Sequence, residues 1–246
     1  MKKRMVLIAL LLGLMLMPMI LSAQITIPTA TPDPEMTAEA TPEVVTVVIQ
    51  ASEGQEIDPP ISIELPEGWV SRNSAVAVQD VMGLRVLPFT LYAGRVQGGV
   101  AFIILLWGFD NLAAAPPLSE DRVMLSPFMD GMRLLRLALL EPECNVGSDV
   151  EREYPIGDRL GLGTSFAAVD CPNTVDTRGW FVSLNVDSIN FAFYIYTEPI
   201  EAMDGAEEEL QAILDTVQFD VPGFIERARA EQTPEPDTTA EATSTP

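Results

Sequence analysis

Trp180-Phe181-Val182-Ser183-Leu184-Asn185-Val186 and Phe191-Ala192-Phe193-Tyr194-Ile195-Tyr196 decide the fold of this chain. In the first run Trp180, Val182, Leu184 and Val186 alternate with Phe181, Ser183, Asn185 and Asp187, and the second keeps the same period of two. That is the signature of two paired strands, and Asp187-Ser188-Ile189-Asn190 supplies the turn between them. Pro199 then opens a segment of a different period. Met203, Ala206, Leu210, Ile213, Leu214 and Val217 fall on one helical stripe, opposite Glu207, Glu208, Glu209, Gln211 and Asp215. A helix with such a stripe must bury it, and the sheet is the available surface.

Working outward, earlier segments add strands. Val44 to Gln50 is β-branched, Ile61-Ser62-Ile63-Glu64-Leu65 alternates up to Pro66, and Val76 and Val78 indicate a short strand. Arg85 to Ala93, with Pro88 marking an edge or a bulge, turns through Gly94 to Gly99 into the apolar run Val100 to Trp107. That run is too short to span a bilayer and reads as a strand buried on both faces. Ser126-Pro127 starts a helix with Phe128, Met132, Leu135 and Leu139 on one side, Arg133 and Arg136 turned elsewhere, and Glu141-Pro142 as its stop. Leu160 to Val169 is Gly-rich and strand-like. The fold class expected is α+β, with a mostly antiparallel sheet and a C-terminal amphipathic helix packed on it.

The first 23 residues have the layout of a secretory signal. Lys2, Lys3 and Arg4 precede an apolar run from Met5 to Leu21, broken by Pro18, and Leu21-Ser22-Ala23 offers a cleavage site before Gln24. An uncleaved anchor is the alternative, and it is the only route by which a membrane enters this reading. Gln24 stands where a lipoprotein would carry Cys. The chain is therefore expected to be secreted or held in the cell envelope. Residues 24–43 form a Thr/Pro-rich linker expected to be disordered, 44–230 a single domain, and 231–246 a second tail of the same composition.

Composition narrows the chemistry. Formal net charge is −22, and loss of the leader leaves 11 basic residues, all Arg, against 36 acids. So negative a surface repels phosphate backbones, which excludes nucleic acid as a partner. There is no His, which removes the usual general base and every Ser-His-Asp arrangement. No catalytic set, no metal ligands and no cofactor are expected. Cys144 and Cys171, an even count in an exported chain, are expected to form one structural disulfide.

Several stretches invite a site. Gly161-Leu162-Gly163 has two glycines of a phosphate loop, but Phe166 stands in place of the third, so a strand with close backbone packing is preferred. Glu141, Glu143, Asp149, Glu151 and Glu153 crowd one loop without the spacing of a calcium loop. Asp110, Glu120 and Asp121, with Trp107 to stack on a sugar, would serve a carboxylate-based extracellular hydrolase. The apolar connection from Leu112 to Leu118 is read as a cover over the core.

Ile63-Glu64-Leu65-Pro66-Glu67-Gly68-Trp69 resembles the opening strand and turn of PsbP-like and DcrB-like domains. The closing stretch, Leu210 to Phe219, is similar to that family's final helix and short Val-x-Phe strand. The resemblance implies an α/β/α sandwich that acts by binding or assembly, without a shared catalytic set. Leu65, Pro66, Gly68 and Trp69 are the structural residues of the shared motif. Its implied partner is an unidentified protein or cell-envelope component; a hydrolase or an anchored spacer domain are the other readings.

Overall fold

The computed structural model describes residues 24–26, 48–80, 83–109 and 126–232. The leader, most of the linker, residues 110–125 with Asp110, Glu120, Asp121 and the apolar connection, and the tail from residue 233 lie outside the described residues. Strand β1, Gln24–Thr26, falls inside the expected linker and pairs antiparallel with β2, Val48–Gln50. Then follow β3 (Ile61–Ser62), β4 (Val70–Asp80), β5 (Gly83–Val96) and β6 (Gly99–Trp107). Helix α1 (Ser126–Leu134) runs on into a π-helical turn at Leu135–Leu139. Strands β7 (Asn145–Ser148), β8 (Arg152–Ile156), β9 (Arg159–Val169), β10 (Thr177–Val186) and β11 (Ile189–Glu198) come next. A 3-10 turn at Ile200–Ala202 leads to α2 (Met203–Leu214), β12 (Gln218–Phe219) and α3 (Val221–Gln232).

The chain folds as α+β around an antiparallel sheet of order β4-β5-β6-β11-β10-β9-β7, with β8 pairing the other end of β9. The hairpin at its centre holds a continuous register from Arg178 opposite Thr197 to Val186 opposite Ile189. Its turn is therefore two residues, Asp187 and Ser188, rather than the four expected. Both take positive φ, 46° and 72°, the geometry that matches strand twist in a tight hairpin. The usual Asn-Gly signal for that turn is absent, so the sequence overstates its length.

Alternation sorts the central strands into two apolar clusters, one on each face. Ile103, Leu105, Trp107, Val182, Leu184, Phe191, Phe193 and Ile195 cluster with Met203, Ala206, Leu210, Ile213 and Leu214 of α2, and with Phe224 and Ile225 of α3. Ile104, Leu106, Phe181, Ala192 and Tyr194 cluster with Leu134 and Leu135, with Phe128 and Met132 at the margin. Fully burying a Leu, Ile or Phe side chain contributes about 1.5–3 kcal/mol, so the α2 stripe alone supplies several such increments.

The structure changes three details of the expected elements. Ile61–Ser62 is only a two-residue strand, because its partner β12 is equally short; Glu64 N donates instead to Thr216 Oγ1 at 2.9 Å. The short strand at Val76 and Val78 is part of an eleven-residue β4. Pro88 lies, as expected, at an edge, on the stretch of β5 that has β4 on one side only. Its neighbour Ala75 gives its carbonyl outward to Gly54 N, 3.1 Å, and β5 meets β6 only from Phe89 onward, so Pro88's missing N–H interrupts no ladder bond. In the α1 segment Leu140 N donates to Leu135 O, 3.2 Å, which closes the wider π turn. The buried face of the helix runs through Asp130, Gly131, Leu134 and Leu135, beside the expected stripe, so Phe128, Met132 and Leu139 are only partly buried.

Cys144 and Cys171 form a disulfide with Cα atoms 4.3 Å apart. It lies just outside the last β7–β9 pair, Asn145 opposite Val169, and ties the chain leaving the π turn to the end of β9. No helix among the described residues is long and apolar enough to cross a membrane.

Candidate functional site

A cleft of about 660 Å³ opens between α2 and the β8–β10 end of the sheet. Its floor comes from the strands. Tyr154 lies opposite Gly161, and Trp180 opposite Ser165. Strand β9 separates the two rings, and its residues on this face (Gly161, Gly163 and Ser165) are small. Gly161 and Gly163 are packed so closely that a Cβ on either would overlap β10, against Val182 and the Phe181 carbonyl respectively. With no bulky side chain between them, the Tyr154 and Trp180 rings approach to 6.4 Å between centroids, 11° from parallel. The glycine pair is thus a strand with close packing, and not a phosphate loop.

The wall comes from the polar side of α2. Asp204, Glu207, Glu208 and Gln211 project together because residues three and four apart share a helix face. Gln211 is held by Pro155 O at 3.1 Å and Asp215 Oδ1 at 2.8 Å. Two arginines reach in from the sheet. Arg178 Nη1 lies 2.7 Å from Asp204 Oδ1, and the Arg152 guanidinium lies 5.8 Å from the Tyr154 ring centroid while pairing with Asp149. Glu207 and Glu208 are exposed and make no ion pair or hydrogen bond with any described residue. The cleft therefore presents uncompensated negative charge beside aromatic surface. Such a surface attracts a cation; it offers no Lys, Cys or His to act as nucleophile or base.

Other expected sites fare differently. Trp107 is fully buried, edge-on to Phe224 at 5.3 Å, so it cannot stack on a sugar as the hydrolase reading required. Its place in the central strand points it into the core. The acids of 141–153 do not share one loop, because β7 and β8 run through that stretch and disperse them. Glu141 accepts from Asn173 and Asp149 pairs with Arg152. No group of three potential metal ligands converges among the described residues. In the turn at residues 65–69, Gly68 has φ of 84°, Trp69 N donates to Pro66 O at 3.2 Å, and the Trp69 indole fills the space above Gly94. Leu65 and Trp69 both pack at the margin of the core beneath α2.

The cleft itself is only half visible in sequence. The carboxylates stand out as the polar side of α2, but nothing local places Tyr154 beside Trp180. No protein-family model matches the chain, and no curated protein matches it either.

Proposed function

We propose that this is an exported, non-catalytic binding or assembly domain, built as an α/β/α sandwich of the PsbP-like and DcrB-like kind, with the α2 helix laid on the sheet. The cleft beside α2 receives a basic group from a protein or cell-envelope partner. One observation carries the reading: Glu207 and Glu208 stand without counter-ions among the described residues, beside the Tyr154 and Trp180 rings. Carboxylates next to aromatic faces favour guanidinium and ammonium groups, which gain both charge pairing and ring contact. The disulfide and the leader both suit a life outside the cytoplasm.

Titration of the chain with a short arginine-rich peptide and with its glutamate counterpart tests this. The basic peptide is expected to bind, and Glu207→Gln/Glu208→Gln to weaken it about tenfold. Equal binding of both peptides, or indifference to the double substitution, defeats the reading. A panel of glycosides is expected to give no turnover. Turnover that is lost on replacing Asp110 or Glu120 would restore the hydrolase instead.

A further inference from the structure

The face of the sheet that carries α1 is not fully covered by it. Ladder register places Val70, Ala93, Phe102 and Tyr196 in one row across β4, β5, β6 and β11. Phe102 and Tyr196 stack at 5.0 Å between centroids, 22° from parallel. Val70 is 64 % exposed, and Val100, two residues before Phe102, is 38 % exposed. This margin is an apolar strip at the open end of the sheet.

Its rim is basic. Arg72 lies opposite Leu91, one step to one side of the row, and Arg95 opposite Val100, one step to the other. Both are exposed, and neither makes an ion pair or hydrogen bond with any described residue. In a chain with 36 acids and 14 basic residues, two such arginines beside one apolar row concentrate scarce positive charge. Among the other arginines, Arg152, Arg159, Arg178 and Arg227 each have an acid partner, while Arg136 on the π turn is exposed and has none among the described residues. Glu198, opposite Val100 on β11, is the acid that the register brings to the strip.

We infer that this strip is a docking surface for a segment of another protein with an apolar centre and carboxylates on either side. The apolar row takes the centre, and Arg72 and Arg95, on opposite sides of the row, hold the acids with their planar forks. Charge complementarity selects the occupant: two arginines without acid partners among the described residues flank one apolar row. The surface is separate from the cleft beside α2, which faces the other side of the sheet and takes the opposite charge. An assembly protein with both would join an acidic partner to a basic one.

The test uses the intact chain and two fluorescent peptides, Glu-Glu-Leu-Val-Leu-Val-Glu-Glu and its lysine counterpart, read by anisotropy. The glutamate peptide is expected to bind, and Arg72→Glu/Arg95→Glu to weaken it at least tenfold while leaving the lysine peptide unaffected. Both arginines are exposed, so the variant is expected to keep the native circular dichroism; Arg72→Gln/Arg95→Gln provides a milder check of the same loss. Absence of binding, or binding that neither variant changes, overturns the proposal. Self-association in sedimentation that disappears in the variant would assign the strip to a second copy and overturn it. Binding to phosphatidylglycerol vesicles that disappears in the variant would assign it to a lipid surface, which overturns it as well. Loss of lysine-peptide binding alone, on substituting Glu207 and Glu208, concerns the cleft and leaves this proposal standing.

Discussion

The Tyr194 hydroxyl, at the middle of the central hairpin, donates a 2.8 Å hydrogen bond to the carbonyl of Gly131 on α1. Helix and sheet approach there as closely as their backbones allow. A Cβ on Gly131 would overlap Ser183 Oγ and the Phe181 ring. Asp130, the residue before it, is fully buried. The contact fixes the position of α1 on its face of the sheet.

Removing that hydroxyl should therefore loosen α1. Tyr194→Phe is expected to cost about 1–2 kcal/mol, since a buried carbonyl loses its partner. Gly131→Ala should cost about 1–3 kcal/mol by a different route, overpacking against Ser183 and Phe181. Urea unfolding followed by far-UV circular dichroism measures both; unchanged midpoints would show that α1 is placed by other contacts.

Alkaline pH should unfold the protein through its phenols. Burial, with Asp58 adding to it, pushes Tyr92 up to about 12, and burial with Glu198 does the same for Tyr196. Tyr194 is held well above 10 by burial and by Asp130. An unfolded chain ionises these groups near 10, so above that pH ionisation favours the unfolded state. Stability is expected to be intact below pH 10 and to fall as pH climbs toward 12. Tyr92→Phe/Tyr196→Phe should move the alkaline midpoint upward, as followed by tyrosinate absorbance. A profile flat to pH 12 would contradict it.

Reducing the Cys144–Cys171 bond should destabilise without abolishing the fold. The bridge spans 27 residues, for which the chain-entropy model gives about 3–4 kcal/mol. Denaturation with and without reductant, and of Cys144→Ser/Cys171→Ser, should agree. β7 has only β9 as its ladder neighbour, so hydrogen exchange at Asn145–Ser148 is expected to rise most.

Gly94→Ala should disturb the turn at Pro66–Trp69 from a distance. The new methyl group would occupy the place of the Trp69 indole, so the ring must swing out. Trp69 emission should shift to the red, and stability should fall by about 1–3 kcal/mol. An unaltered spectrum would mean that the ring is not seated over Gly94.

Long periodic elements can be read from the sequence, and special geometry cannot. The β10–β11 hairpin and the α2 stripe are clear because each repeats one period over ten or more residues. The Asp187–Ser188 turn looks longer than it is because its second residue, at positive φ, is not the glycine that marks such a turn. α3 is concealed because Pro222 and Gly223 look like breakers, though both fall in its first turn, where proline is tolerated. β7 and β8 are hidden because each is only four or five residues long with few apolar side chains, and they are held by β9 rather than by their own pattern. The cleft depends on those strands, so its aromatic floor is invisible in the sequence while its acidic wall is plain.

The Gly54 N to Ala75 O bond has a consequence for life at high concentration. β4 is a terminal strand of the sheet, and a row of open amides invites the same strand of a neighbour to zip on and start a fibre. Here the loop ahead of it blocks the midpoint of that row, and Asn73 and Asp58 clasp beside the block at 2.6 Å. A molecule so shielded can be crowded among its own copies with that border guarded against polymerising.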